Sequence, residues 1–468
     1  MRLRPTAPLT EAPVTRSIAG AGLLNLLASI VLVGRNLLDG YYAARVSTDA
    51  LASFTLVFPI IFLLIGLSQG VSVAVGNTLA RRTGAGTAPS GSYVRHAALA
   101  ALAAGGALAI LLSVVAPAAM GLYEAEPDIL DRSVTLARWL IAGMPVLFLY
   151  GTTTALLRAL GDAAGATRAA TAGLLAGVAV TPLLVFAVPP FPSDPLVGIA
   201  IGQLLGYACT TCLVALRLWR RGLLTGRTDR AALPSDLAAF ARLGGPVALT
   251  NLVSLGAMFM VTGTMADAGR ATTAAYGLVS RIDQFSLIIV NSVILALVPF
   301  VGQNSGAGRR DRVRQGILSA LGLMLGCWAL LGTALTIAAP WITALFGLPD
   351  GTATQATGWL RLSALAFFFQ GVVITGVALL QVLGRPRVAL AAIAAHLYGL
   401  QLPLLLILAR GGDPARLYWA VAGSQIVTGS VFLVIGGWLV RRRTGLRETP
   451  DETGETPDET GERRVVNA

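Results

Sequence analysis

The 468-residue chain has no lysine, three cysteines, two histidines and only 12% charged residues. A soluble chain of this length needs far more charge on its surface. Cys209 and Cys212 form one C-x-x-C inside an apolar run, with no second pair and no histidine nearby. They read as small buried apolar residues rather than metal ligands. The sequence shows no P-loop, nucleophile constellation or dinucleotide fingerprint. That speaks against an ATP motor in this chain, an enzyme, a metal centre or a cofactor. Short alternating segments of the β-barrel kind are missing too. The net charge of +12 sits on arginines at the ends of apolar runs rather than on one face, so nucleic acid is not an expected partner. Arginine to the exclusion of lysine is compositional drift of a GC-rich genome. The polar start "MRLRPTAPLTEAPVTR" runs straight into an apolar segment, without the pattern of a cleavable leader.

What is abundant is apolar. Hydrophobic residues make up 55% of the chain, and mean hydropathy is +0.73. Runs of about 20 residues match the hydrocarbon core of a bilayer at 1.5 Å per residue, and they are rich in the glycine and alanine of close-packed membrane helices. They predict twelve spans, at 17–40, 50–80, 94–118, 132–157, 165–188, 195–219, 237–266, 272–303, 312–340, 355–382, 387–409 and 415–440. The connections alternate in charge. One set holds Arg81 and Arg82, Arg158 and Arg168, the cluster from Arg217 to Arg230, Arg309 to Arg314, and Arg385 with Arg387. The other is poor in arginine and carries Glu124, Glu126, Asp128, Asp131, Asp194, Asp267, Asp350 and Asp413. The positive-inside rule puts the first set and both termini in the cytoplasm, in a multi-pass protein of the inner (plasma) membrane.

The two halves repeat each other. "ARRTGAG" at 80–86 echoes "GQNSGAG" at 302–308, with Gly84 and Gly306 222 positions apart. "VVAPAAMGLY" answers "IAAPWITALF", and "LLRALGD" answers "LLQVLGR", at an offset of 223. An even number of spans per half returns the chain to its starting side. The expected fold is therefore an all-α integral membrane protein, with twelve transmembrane helices in two six-helix bundles related by an internal pseudo-two-fold repeat. The boundaries follow: a cytoplasmic segment 1–16, an N-lobe 17–220, a linker 221–236, a C-lobe 237–441 and a tail 442–468. In the tail "ETPDETG" stands twice in tandem, acidic and without a core to bury, so it is expected to be disordered.

Two such bundles with "LLDGYYAARVSTDALASFTLVFPI", "GLSQGVSVAVGNTLARRTGAG" and "AAYGLVSRIDQFSLIIVNSVILALVPFVGQNSGAG" resemble the multidrug and toxic compound extrusion (MATE) family across roughly residues 17–440. The resemblance implies two rocking lobes and an antiporter that exports organic, often cationic, compounds against protons or sodium ions. Departures bear on the ion. Where members with an ion site in the first half carry Asn and Asp on the fifth helix, this chain has Gly177 and Thr181. Where others carry a seventh-helix Glu, Ser254 stands nearby, and the tenth helix has no acid. A complete sodium site is not expected, and protons become the coupling ion.

Charges inside spans are costly, by ~2.5–3.5 kcal/mol each on insertion scales. Asp39 is either a salt-bridge partner of Arg35, one turn earlier, or a coupling carboxyl that holds a proton when the cleft dries and yields it when the cleft floods. Asp283, deep in the eighth span, is a second coupling acid or a structural ion-pair partner. Arg281, two positions before it, points the opposite way and is a poor mate for it. Arg35, Arg281 and His396 are possible modulators, His396 more simply a neutral hydrogen-bonded group. Asn36, Tyr41, Phe58, Asn251, Met258, Tyr276, Phe285 and Asn291 are candidate walls for an organic cation. The resulting expectation is a monomeric proton-coupled exporter in the lipid bilayer. The alternatives are sodium coupling, or a flippase for a lipid-linked or polysaccharide precursor.

Overall fold

The computed structural model describes residues 9–11, 13–87, 90–121, 126–187, 194–225, 228–346, 349–411 and 413–442. The acidic tail beyond Arg442, Arg2 and Arg4 near the start, and the loop residues Glu124 and Arg227 lie outside the described residues.

The first half comprises α1 (Val14–Val46), α2 (Thr48–Gly84), α3 (Gly91–Met120), α4 (Pro127–Ala142), α5 (Met144–Ala159), α6 (Ala163–Pro182) and α7 (Pro195–Arg220). The second comprises α8 (Leu233–Asp267), α9 (Arg270–Gly306), α10 (Arg310–Leu345), α11 (Asp350–Val382), α12 (Pro386–Ala394), α13 (Leu402–Arg410) and α14 (Leu417–Arg442). Among the described residues eleven helical stretches are long and apolar enough to cross a bilayer, and α4 with α5, bent by 45°, brings the number to twelve when the pair is counted as one span. Local chemistry sets several starts. Ser47 caps α2 by accepting from the Ala50 amide at 3.0 Å, and Asp162 caps α6 by accepting from Gly165 at 2.8 Å.

Three spans are less regular than their apolar runs suggest. The expected fourth span, 132–157, is two helices that meet at Gly143. Pro145 has no amide to donate there, and a Cβ at 143 would overlap Leu204. After Pro182 the chain widens into a π-helical turn, Leu183–Ala187, and before Pro403 it passes through another, Ala395–Gln401. In each case the proline removes a hydrogen bond that a regular helix needs.

The repeat is visible in how the halves meet. A Cβ on Gly84 would overlap the Gln303 carbonyl, and one on Gly306 would overlap the Arg81 carbonyl. These two contacts interconvert when both residue numbers shift by 222. A Cβ on Gly244 would stand 2.7 Å from the Gly70 carbonyl, and one on its counterpart Gly22 would stand 3.9 Å from the Ser292 carbonyl. The last glycine of each doubled Gly-Ala-Gly is left-handed, with φ of 78° at Gly86 and 70° at Gly308. It ends its helix through a bond from the next amide, Thr87 to the Arg82 carbonyl and Arg309 to the Asn304 carbonyl. The phrase therefore serves two backbone needs: close approach at its first glycine and a helix stop at its last.

Candidate functional site

Hydrogen bonds between the halves cluster toward one end, the end where α1 begins and α2 and α9 finish. Asn25 Nδ2 donates to the Ser292 carbonyl at 3.4 Å and Asn251 Nδ2 to the Gly66 carbonyl at 3.0 Å. Gln303 Nε2 donates to the Ala159 carbonyl at 2.8 Å. Asp236, in the first turn of α8, meets Arg82 at 3.2 Å and His96 at 2.9 Å. Among the described residues no hydrogen bond joins the halves beyond the level of Asn25, Gly66, Asn251 and Ser292.

Beyond that level the same helix faces become exposed. Along α9, residues seven and eleven positions before Ser292 return to its side within about 20°. Ser292 is 2% exposed, whereas Phe285 is 45% exposed and Arg281 is exposed as well. On α8 the stripe through Asn251 continues to Met258 and Thr262, both exposed. On α2 the stripe through Gly66 continues to Phe62 and Thr55, also exposed. On α1 the stripe through Asn25 continues to the half-buried Asn36. Four stripes that seal the molecule at one end thus part into a cleft toward the other.

The two acids singled out in the sequence do not line this cleft. Asp39 is 3% exposed and turned into the first half, where its Oδ2 lies 3.4 Å from Nε of Arg35, itself 1% exposed. The guanidinium occupies room left by two glycines: a Cβ at Gly177 or Gly206 would come within 3.0 or 2.9 Å of its Nη1. It also lies 6.0 Å from the centre of the Tyr207 ring. Nη1 and Nη2 are buried without a hydrogen-bond partner. Gly177, which the family resemblance marked as a departure from an asparagine, is therefore part of what lets this arginine in.

Asp283 sits about 180° around α9 from Ser292 and faces its own half. Ser363 Oγ of α11 donates to its Oδ1, and the Tyr418 hydroxyl of α14 donates to its Oδ2 at 2.6 Å. Its bonds come from hydroxyls, with no ion-pair partner among the described residues. Neither hydroxyl had been singled out. They lie 80 and 135 positions away, and no local pattern marks them.

The remaining candidates divide. Asn36, Met258, Phe285 and Arg281 stand on cleft stripes, and Asn251 lies at the floor. Phe58 packs edge-on against Phe62 at 5.0 Å. Tyr276 is packed against the second-half core. Tyr41 is exposed but about 160° around α1 from Asn25, so it faces away from the cleft. Asn291 is exposed about 100° from the Ser292 stripe. His396 is buried and bonds Thr428 Oγ1 at 2.9 Å. Among the described residues, no three His, Cys, Asp or Glu gather as a metal site would require.

Known proteins resemble this chain in sequence and in fold. A FAD transporter of Shewanella oneidensis is 28% identical over 412 residues, 85% of this chain and 88% of its own. A probable multidrug resistance protein NorM of Deinococcus radiodurans is 28% identical over 457 residues, 92% of this chain and 94% of its own. A solved structure described as the outward-facing conformation of a multidrug resistance MATE family transporter superposes with a TM-score of 0.85 at 20% identity, covering 94% of this chain and 98% of that one. The MatE family model matches residues 26–183 and 246–407, a block in each half. With the sealed end, the parted stripes and the doubled half, these likenesses show that the chain is a multi-pass membrane transporter belonging to the MATE family.

Proposed function

We propose that the chain is a secondary active antiporter that exports small organic compounds in exchange for protons, with its basic loops and both ends in the cytoplasm. The cleft then opens outward. The observation that carries the proton reading is the Arg35–Asp39 pair, buried on α1 beside the cleft with its guanidinium otherwise unbonded.

A proton reaching Asp39 from the outer cleft cancels the carboxylate and leaves Arg35 a buried charge without a partner. Breaking a buried pair in this way costs about 3–5 kcal/mol. Moving a two-state equilibrium from 1:99 to 99:1 takes about 5.5 kcal/mol. One protonation is therefore large enough to drive most of the rearrangement that closes the outer cleft and parts the glycine contacts at the inner end. Loss of the proton to the cytoplasm restores the pair and the outward-open state. A sodium ion at Asp39 would have to sit beside the guanidinium and would be repelled by it, whereas a proton simply neutralises the carboxylate.

The test uses proteoliposomes of the purified full-length chain. Efflux of a fluorescent substrate is followed under an imposed pH gradient and then an imposed sodium gradient, for wild type and Asp39→Asn. Proton-driven movement that the variant loses is the expected result. Sodium-driven movement, or proton-driven movement that survives Asp39→Asn, would overturn the assignment of coupling. If neither gradient moves any substrate, a lipid-linked precursor becomes the compound to try.

A further inference from the structure

The two acids expected to couple the ion are each committed inside a half, Asp39 to Arg35 and Asp283 to Ser363 and Tyr418. That leaves the charge of the cleft itself to Arg281. It is exposed on the α9 stripe that carries Ser292, eleven positions toward the open end, or about 16 Å along the helix. No ion pair or hydrogen bond to its side chain is present among the described residues. Of the positions assigned to the cleft stripes, it alone carries a formal charge. Asn36 of α1 stands eleven positions from Asn25, the partner of Ser292, so helix rise puts it on the α1 stripe at the same depth as Arg281 on α9. Its side-chain amide is also unbonded among the described residues. Phe285, one turn deeper than Arg281 on the same stripe, adds an exposed aromatic face.

We infer that Arg281 is an oxyanion-binding residue, and that the exported compound carries a carboxylate or phosphate close to an aromatic ring. The inference rests on the chain being an exporter. A guanidinium offers five donors in a planar fork suited to such a group. While the cleft is open, water satisfies those donors. When the halves close over it the water must leave, and donors left unmet at mid-membrane depth are costly. An oxyanion from the substrate meets them, with the Asn36 amide opposite, so the occupied cleft closes more readily than the empty one. An anion leaving a cell that is negative inside also moves with the membrane potential, as does the entering proton.

The test compares three probes in proteoliposomes of the full-length chain under a pH gradient: flavin mononucleotide as a phosphate, carboxyfluorescein as a carboxylate, and ethidium as a cation. Arg281→Gln is expected to slow wild-type transport of the phosphate, the carboxylate or both by about tenfold or more. Ethidium should be unchanged or faster, and Arg281→Lys should keep part of the oxyanion transport. A potassium diffusion potential of the exporting sign should speed the oxyanions in wild type. Because Arg281 makes no hydrogen bond or ion pair among the described residues, Arg281→Gln should melt with the wild type. A lowered melting temperature with loss of all three probes would mark a structural arginine and count against the inference. Wild-type transport of ethidium alone, or equal oxyanion transport by wild type and Arg281→Gln, overturns the inference and leaves the exporter intact. If no probe moves under any gradient, the exporter reading falls with it.

Discussion

At the sealed end, Gly84 rests on Gln303 as Gly306 rests on Arg81, one contact repeated at 222 positions. Higher on the same bundles the halves part company. The first buries Asp39 against an arginine, and the second holds a half-buried Asp283 with two hydroxyls. The repeat has been kept where two surfaces must fit each other and lost where a charge must be handled. A gate formed by two like halves works only if both sides are equally slim. An acid that takes up a proton has no such need for a twin, and a different partner gives it a different response.

If the gate is symmetrical in function as in shape, Gly84→Val and Gly306→Val should fail alike. Either β-branched side chain would push into a backbone carbonyl of the other half, so this end could not seal. Transport should drop by about 100-fold or more, roughly 3 kcal/mol. Spin-label distances across the sealed end should lengthen in both variants. A large effect of one glycine and none of the other would break the comparison at its firmest point.

The acids should then respond differently to loss of a partner. Arg35→Met removes the counter-charge of Asp39 and should cost about 3–5 kcal/mol in detergent-solubilised stability, while Arg35→Met combined with Asp39→Leu should recover most of it. A double variant no more stable than Arg35→Met would show that the pair is not the unit it looks to be. In the second half, Tyr418→Phe deletes one donor to Asp283 and leaves Ser363 in place. Its expected cost is smaller, about 1.5–3 kcal/mol, the range for a hydrogen bond to a charged group. An effect as large as that of Arg35→Met would mean that Asp283 too depends on a single partner.

Much of this was legible in the residues, and the exceptions have physical causes. The repeat could be read because glycine and proline answer backbone demands, and such demands recur wherever the fold does. The Arg35–Asp39 pair could be read because a spacing of four puts two side chains on one helix face. The break at Gly143 lies two positions before Pro145, whose missing amide marks a kink in the sequence itself, while the size of the bend depends on packing against Leu204, which no local pattern shows. Ser363 and Tyr418 could not be found from Asp283, because contacts between distant helices leave no local period. The opposition of Arg281 and Asp283 was visible in their spacing of two. Which of them faces the cleft depended on Ser292 meeting Asn25 across the halves. Tyr41 misled for the same reason: an aromatic beside Asp39 in sequence lies on the other side of α1 in space.

His396 sharpens the comparison from its weakest side, because it is a buried titratable group of the second half with a role left open by sequence. It lies in the π-helical turn Ala395–Gln401 and bonds Thr428 of α14 through Nδ1 at 2.9 Å. No acid bonds it among the described residues, and the hydroxyls that serve Asp283 belong to Ser363 and Tyr418 instead. A glutamine can keep one hydrogen bond to Thr428 but cannot take up a proton near neutrality. His396→Gln should therefore change stability by no more than about 1 kcal/mol, the worth of one neutral hydrogen bond. Proton-driven transport should stay within about threefold of wild type at every pH tested, about 0.7 kcal/mol of barrier. If transport instead collapses while the melting temperature holds, His396 is passing protons, and the second half has a coupling path of its own that owes nothing to the arginine logic of the first.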